Sequence, residues 1–130
     1  MNRRTCFQAL AAAPALLGGI AHAEGSKAIQ LHVDLEVDPA KEKELAANYT
    51  STFRPAISKQ PGFVDVKLLK LAKEEVGKAP PHCTYRLLVS FNTEKQQKAW
   101  AASALHAKVW PTIEGTLKGQ KYYVMLYDVV

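Results

Sequence analysis

The stretch Ala28–Lys41, AIQLHVDLEVDPAK, carries two structural signals in direct succession. Ile29, Leu31, Val33, Leu35 and Val37 alternate with Gln30, His32, Asp34 and Glu36, a period-two pattern that predicts a strand with one apolar face. Asp38-Pro39 follows at once, pairing a capping carboxylate with a proline at the first helical position. The chain therefore passes directly from strand to helix.

Downstream, Leu45, Tyr49, Thr52, Phe53, Ala56 and Ile57 recur at helical spacing and predict an amphipathic helix over 39–59, bent by Pro55 within it. Gln60-Pro61-Gly62 is a turn into a strand over Phe63–Leu71, and the charged, then proline-rich residues 73–82 read as a loop. Tyr85, Leu87, Val89 and Phe91 alternate in a third strand, Cys83–Phe91. Asn92-Thr93-Glu94 caps a second helix running to about Trp110, where Pro111 interrupts it; residues 112–118 add one more helical turn. Tyr122–Val130, dense in aromatic and branched residues, is the last strand.

This order, strand-helix-strand-strand-helix-strand, is an α+β, ferredoxin-like βαββαβ arrangement: an antiparallel sheet with two helices on one face. In the last strand Tyr122, Val124 and Leu126 oppose Tyr123, Met125 and Tyr127, so both faces are apolar. Only one face can pack on the chain's own helices, and a second copy of the sheet is the expected cover for the other. The expected assembly is a homodimer.

Upstream, Met1–Ala23 has the three parts of a signal peptide: Arg3-Arg4, the uncharged run Phe7–Ile20, and Ala21-His22-Ala23 before cleavage at Glu24. Asn2-Arg3-Arg4-Thr5-Cys6-Phe7 has the form of a twin-arginine export signal, with Cys6 where an apolar residue is usual. A general secretory leader with two arginines is the alternative, and either predicts a periplasmic or secreted product without a stable membrane anchor after cleavage. About 107 residues then remain for a single domain over 28–130. Removing Arg3 and Arg4 lowers the net charge from +5 to +3, and the scattered lysines form no basic stripe for nucleic acid. Cys83 is left without a partner, which excludes an internal disulfide and a cysteine-rich zinc site; it reads as a small buried hydrophobe opening the third strand.

Three segments resemble, in this order, the antibiotic biosynthesis monooxygenase family of small dimeric α/β-barrel domains. They are Leu31–Lys41, Pro61-Gly62-Phe63 entering a strand, and Trp100, Ser103, His106 and Trp110 on the second helix. The resemblance spans 28–130 and implies a cofactor-independent monooxygenase acting on a small aromatic, hydroquinone or polyketide-like substrate with O2, without flavin or metal. In such chemistry the substrate supplies the electrons, while a pocket strips a phenolic proton, cages the anion in apolar surroundings and admits oxygen beside it. The family also includes haem-degrading members, similar to an arrangement of asparagine on the first strand with tryptophan and an iron-binding histidine on the second helix. Trp100 matches that tryptophan, but Trp110 stands where the histidine is expected and Val33 near where the asparagine is wanted.

Projected at 100° per residue, Trp100, Ser103, Ala107 and Trp110 share one helical face, with His106 at its edge. Small residues between two tryptophans leave space for a pocket; the plainer alternative is that both tryptophans fill core. His106 is the candidate catalytic base, because imidazole titrates in the useful range, and Trp100 is the second catalytic candidate. Tyr49 and Phe53, one turn apart, could face Trp100 across a cavity and, with Ser103 and Trp110, line a substrate site. Arg86, like Arg54, could anchor a phenolate or quinone oxygen, its simpler role being an ion pair with Asp34 or Glu36. His32 is expected on the dimer side and His82 in a solvated loop; no two histidines have metal-ligand spacing on one element. The rival functions are a non-catalytic ligand-binding or stress-related barrel and, third, haem degradation.

Overall fold

The computed structural model describes residues 27–130, so the leader assigned to Met1–Ala23 lies outside the described residues. Strand β1 (Ile29–Val37) runs where the alternation is cleanest and buries Ile29, Val33, Leu35 and Val37. It occupies a central position, pairing antiparallel with β3 (Tyr85–Phe91) on one side and β4 (Leu117–Asp128) on the other. Strand β2 (Phe63–Lys70) pairs antiparallel with the outer edge of β3, giving the order β2-β3-β1-β4. The α+β, ferredoxin-like arrangement is therefore the observed fold.

Gly62 feeds β2 with φ +81°, a left-handed conformation natural to glycine, and a Cβ there would collide with the Gln96 side chain. This accounts physically for the Pro61-Gly62-Phe63 segment.

The first helical stretch is not one bent helix. Asp38 caps it, its carboxylate accepting from the Ala40 N–H at 2.9 Å, and a 3-10 turn (Pro39–Lys41) leads into α1 (Glu42–Asn48). A π turn (Tyr49–Phe53) follows, then α2 (Arg54–Ser58). The Arg54 N–H reaches back five residues to the Tyr49 carbonyl, and Pro55, which has no N–H to offer, sits in the first turn of α2.

The second helix is also divided, but not at Pro111. Helix α3 (Glu94–Ala101) is capped by Thr93, whose hydroxyl oxygen accepts from the Gln96 N–H at 3.1 Å. The chain breaks at Ala102-Ser103 and restarts as α4 (Ala104–Glu114), which carries Pro111 in its interior. Ser103 makes the break: its backbone is extended, its Oγ accepts from the His106 N–H at 3.1 Å, and the hydroxyl donates to the Trp100 carbonyl at 2.7 Å. The expected extra turn over 112–118 is instead the end of α4 and the start of β4, which begins at Leu117, not Tyr122. Val37 pairs with Leu117 and Leu35 with Tyr122, so β4 bulges between them, with Gly119 at φ +67°.

The helices cover one face of the sheet. Leu45, Phe53, Ile57, Trp100, Val109 and Ile113 from above meet Val33, Leu35, Leu87, Val89 and Phe91 from below. The opposite face carries Gln30, His32, Asp34, Arg86 and Leu88, with Tyr123, Met125 and Tyr127 exposed on β4. No helix among the described residues is long and apolar enough to cross a membrane.

Candidate active site

Between the α3–α4 corner and the sheet lies a cavity of about 200 Å³. Its floor is Leu31 and Val33 of β1, Leu87 and Val89 of β3, and Tyr122 and Val124 of β4. Its roof is Phe53, Gln97, Trp100, Ala101, His106 and Trp110. Val124 is 48% exposed, so the hollow opens at the β4 edge. Apart from Gln97 and His106, the lining side chains are aliphatic or aromatic.

The turn at Ser103 is what places His106. Were α3 continuous with α4, His106 would lie on the flank of one helix; instead α4 departs in a new direction and lays the imidazole between the two tryptophans. Its ring meets Trp100 edge-on at 5.1 Å and stacks on Trp110 at 5.9 Å with planes 10° apart. Phe53 stands edge-on to Trp100 at 6.0 Å and to Trp110 at 6.2 Å, and Trp110 to Tyr122 at 5.3 Å. Such edge-to-face contacts fix ring orientation beyond what area burial alone does. Burial pushes the His106 pKa down from 6.5, so at neutral pH the ring is uncharged and can take a proton.

Of the expected site residues, Phe53, Trp100, His106 and Trp110 come together around this cavity, and Tyr49, Ser103 and Arg86 do not line it. The π turn directs Tyr49 toward β2, where its hydroxyl donates to the Val66 carbonyl at 3.1 Å; burial raises its pKa and keeps it protonated. The Ser103 hydroxyl is committed to the helix break. Arg86 lies on the far face of the sheet, directly across from Asp34, and donates to both its carboxylate oxygens at 2.6 and 3.3 Å. Two other expectations need correction. His82 is not free in solvent but sits 2.6 Å from the Glu36 carboxylate, and Cys83 is half-buried just ahead of β3, its thiol pKa pushed up by burial.

Sequence reasoning missed Gln97. It is 95% buried, lines the cavity, and its Oε1 has no hydrogen-bond partner among the described residues. Its spacing of three residues from Trp100 was the available signal, masked by polar neighbours Gln96 and Lys98.

No family model matches the chain, and none of the curated proteins does. Solved structures do. A Caulobacter crescentus protein provisionally assigned as an antibiotic biosynthesis monooxygenase superposes with TM-score 0.65 at 17% identity, covering 81% of this chain and 92% of that one. The likeness establishes the fold. A dimeric ferredoxin-like protein of unknown function from Jannaschia gives 0.61 at 12% identity, over 79% and 98% of the two chains. The heme-degrader MhuD from Mycobacterium tuberculosis, solved with two hemes in its active site, gives 0.61 at 18% identity, over 78% and 95%.

Proposed function

We propose that this chain is a monooxygenase of the cofactor-independent kind, oxidising a small single-ring hydroquinone or related phenol with O2. The observation that carries the reading is an uncharged, half-buried imidazole held between two tryptophans in the wall of an apolar hollow. The hollow's size matches the substrate: an apolar cavity of about 150 Å³ accepts benzene, and this one measures about 200 Å³.

His106 accepts a phenolic proton, and the apolar walls leave the resulting anion poorly solvated and electron-rich. A ring carbon of the anion then attacks O2 to form a C–O bond. Collapse of the peroxide leaves one oxygen atom on the ring and releases the other as water. For hydroquinone the products are hydroxyquinone and water, with all four electrons drawn from the substrate. Trp100, Trp110 and Phe53 orient the ring and exclude water.

Haem fits this cavity poorly. A porphyrin is several times larger than a single ring, and the lining offers one imidazole, His106, stacked flat on Trp110. The leader-like residues Met1–Ala23 support an exported setting, and a second copy of the chain, as in the dimeric Jannaschia protein, is the proposed cover for Tyr123, Met125 and Tyr127.

Oxygen uptake with a panel of single-ring hydroquinones and phenols tests the function. Wild type should consume oxygen faster than buffer, with His106→Ala reduced on the order of a hundredfold. Ring binding without oxygen consumption across the panel refutes catalysis and leaves a ligand-binding barrel.

A further inference from the structure

The cavity contains a polar group that no other described residue uses. Gln97 is 95% buried on α3 and lines the hollow, and its Oε1 is itself sealed from solvent and has no donor among the described residues. An unpaired buried acceptor is costly, and native interiors rarely keep one unless a ligand or water completes it. The rest of the helix offers no remedy. Thr93 accepts from the Gln96 N–H and donates to the Gln96 side chain, and Trp100 supplies its carbonyl to Ser103. The aliphatic side chains of the lining, Leu31, Val33, Leu87 and Val89, have no hydrogen-bonding groups.

We infer that Gln97 is the specificity-determining contact of the cavity: when a ring binds, a half-turn of the amide lets its Oε1 accept a hydrogen bond from a hydroxyl on that ring, so the site selects hydroxylated aromatics over apolar rings of the same size. A ring lacking a hydroxyl leaves the amide as unsatisfied as in the empty protein. A ring with two hydroxyls donates one to Gln97 and presents the other to His106. That division gives Gln97 and His106 separate duties, recognition for the amide and proton removal for the imidazole. The inference deepens the proposed function, since it names the substrate class of the same site, but it concerns binding alone.

The chain's two tryptophans, Trp100 and Trp110, both line the hollow, so intrinsic fluorescence reads occupancy directly. Titrations under nitrogen with phenol and with toluene, on wild type and Gln97→Met, give the ratio of the two affinities in each protein. Solvation differences between the ligands cancel in that comparison. The phenol-to-toluene ratio should fall roughly tenfold in Gln97→Met, mostly through weaker phenol binding. Empty Gln97→Met should melt no lower than wild type, because the replaced amide has no partner to lose. A ratio unchanged within about twofold overturns the inference, as does failure of phenol to bind wild type. A Gln97→Met protein that is clearly less stable or does not fold also overturns it, by showing that the amide serves the fold. Because oxygen is absent, a retained ratio change with no turnover in air defeats the oxygenase and spares Gln97. Turnover without a ratio change does the reverse.

Discussion

Val33 and Val89 lie on adjacent strands, both almost wholly buried, and both form the cavity floor. Replacing both with isoleucine adds one methylene at each position, directed into empty space. A buried methylene contributes about 0.8 kcal/mol. The two sites are close enough to share the same void, so the sum falls short of additive, at about 1 to 1.5 kcal/mol. For a domain of this size that raises Tm by about 5 to 10 °C. The same methylenes remove room for a ring, so aromatic ligands should bind at least tenfold more weakly. Thermal melts followed by circular dichroism, with fluorescence titrations on the same samples, check both effects. The opposite signs matter: greater stability with weaker binding marks a hollow kept open for a ligand. If the double variant is destabilised by the 1–3 kcal/mol typical of overpacked cores, the space is already filled and the cavity is no binding site.

Acid should affect both activity and stability through His106. Its folded-state pKa lies below 6.5 because burial disfavours the cation, so the unfolded chain takes up the proton first as pH falls. Its contribution to stability is therefore complete above pH 6.5 and lost as the pH falls through the folded value; melts of wild type and His106→Ala across pH 5 to 7.5 should converge at the acid end. The rate should decline on the acid side below 6.5, an arm that His106→Ala abolishes. Phe53→Ala should cost about 3 to 5 kcal/mol in denaturant unfolding, since it removes the ring contacting both tryptophans. Arg86→Ala should lower stability by about 1 to 3 kcal/mol without changing ligand affinity, because Arg86 pairs with Asp34 on the far face of the sheet. Ser103→Ala should lower stability by about 1 kcal/mol and weaken ring binding, because its hydroxyl holds the helix break that places His106. A loss of ring binding in Arg86→Ala contradicts its placement outside the cavity, and unchanged binding in Ser103→Ala contradicts the role of the break in placing His106.

The strand pattern was legible because alternation is a local property. The apolar row of β1 and the row Leu87, Val89, Phe91 of β3 are buried as their spacing requires, and Asp38 and Thr93 cap as their side chains dictate. The helices were less legible, because two rival breakers competed. Pro111 carries the stronger general signal, yet it is accommodated within α4, whereas Ser103 divides the helix by satisfying backbone groups on both sides of the gap. The site inherited that error in part. Trp100, Trp110 and Phe53 are large enough to point inward on any reasonable projection, but a continuous helix misplaces Ser103 and leaves His106 at the margin. Tyr49 was lost to the π turn, whose extra backbone residue no period of 3.6 anticipates. Lys118 and Lys121 obscured the early start of β4, since a charged bulge does not alternate. Gln97 escaped notice because an amide reads as solvent-facing until its surroundings are known.

Isotope labelling measures the central chemistry most directly. Wild type turning over hydroquinone under 18O2 should place one labelled oxygen atom in each hydroxyquinone and the other in water, and His106→Ala should yield almost none of that product. Unlabelled benzoquinone accompanied by hydrogen peroxide, or the same labelling from the His106→Ala protein, contradicts oxygenation by a histidine base in this cavity.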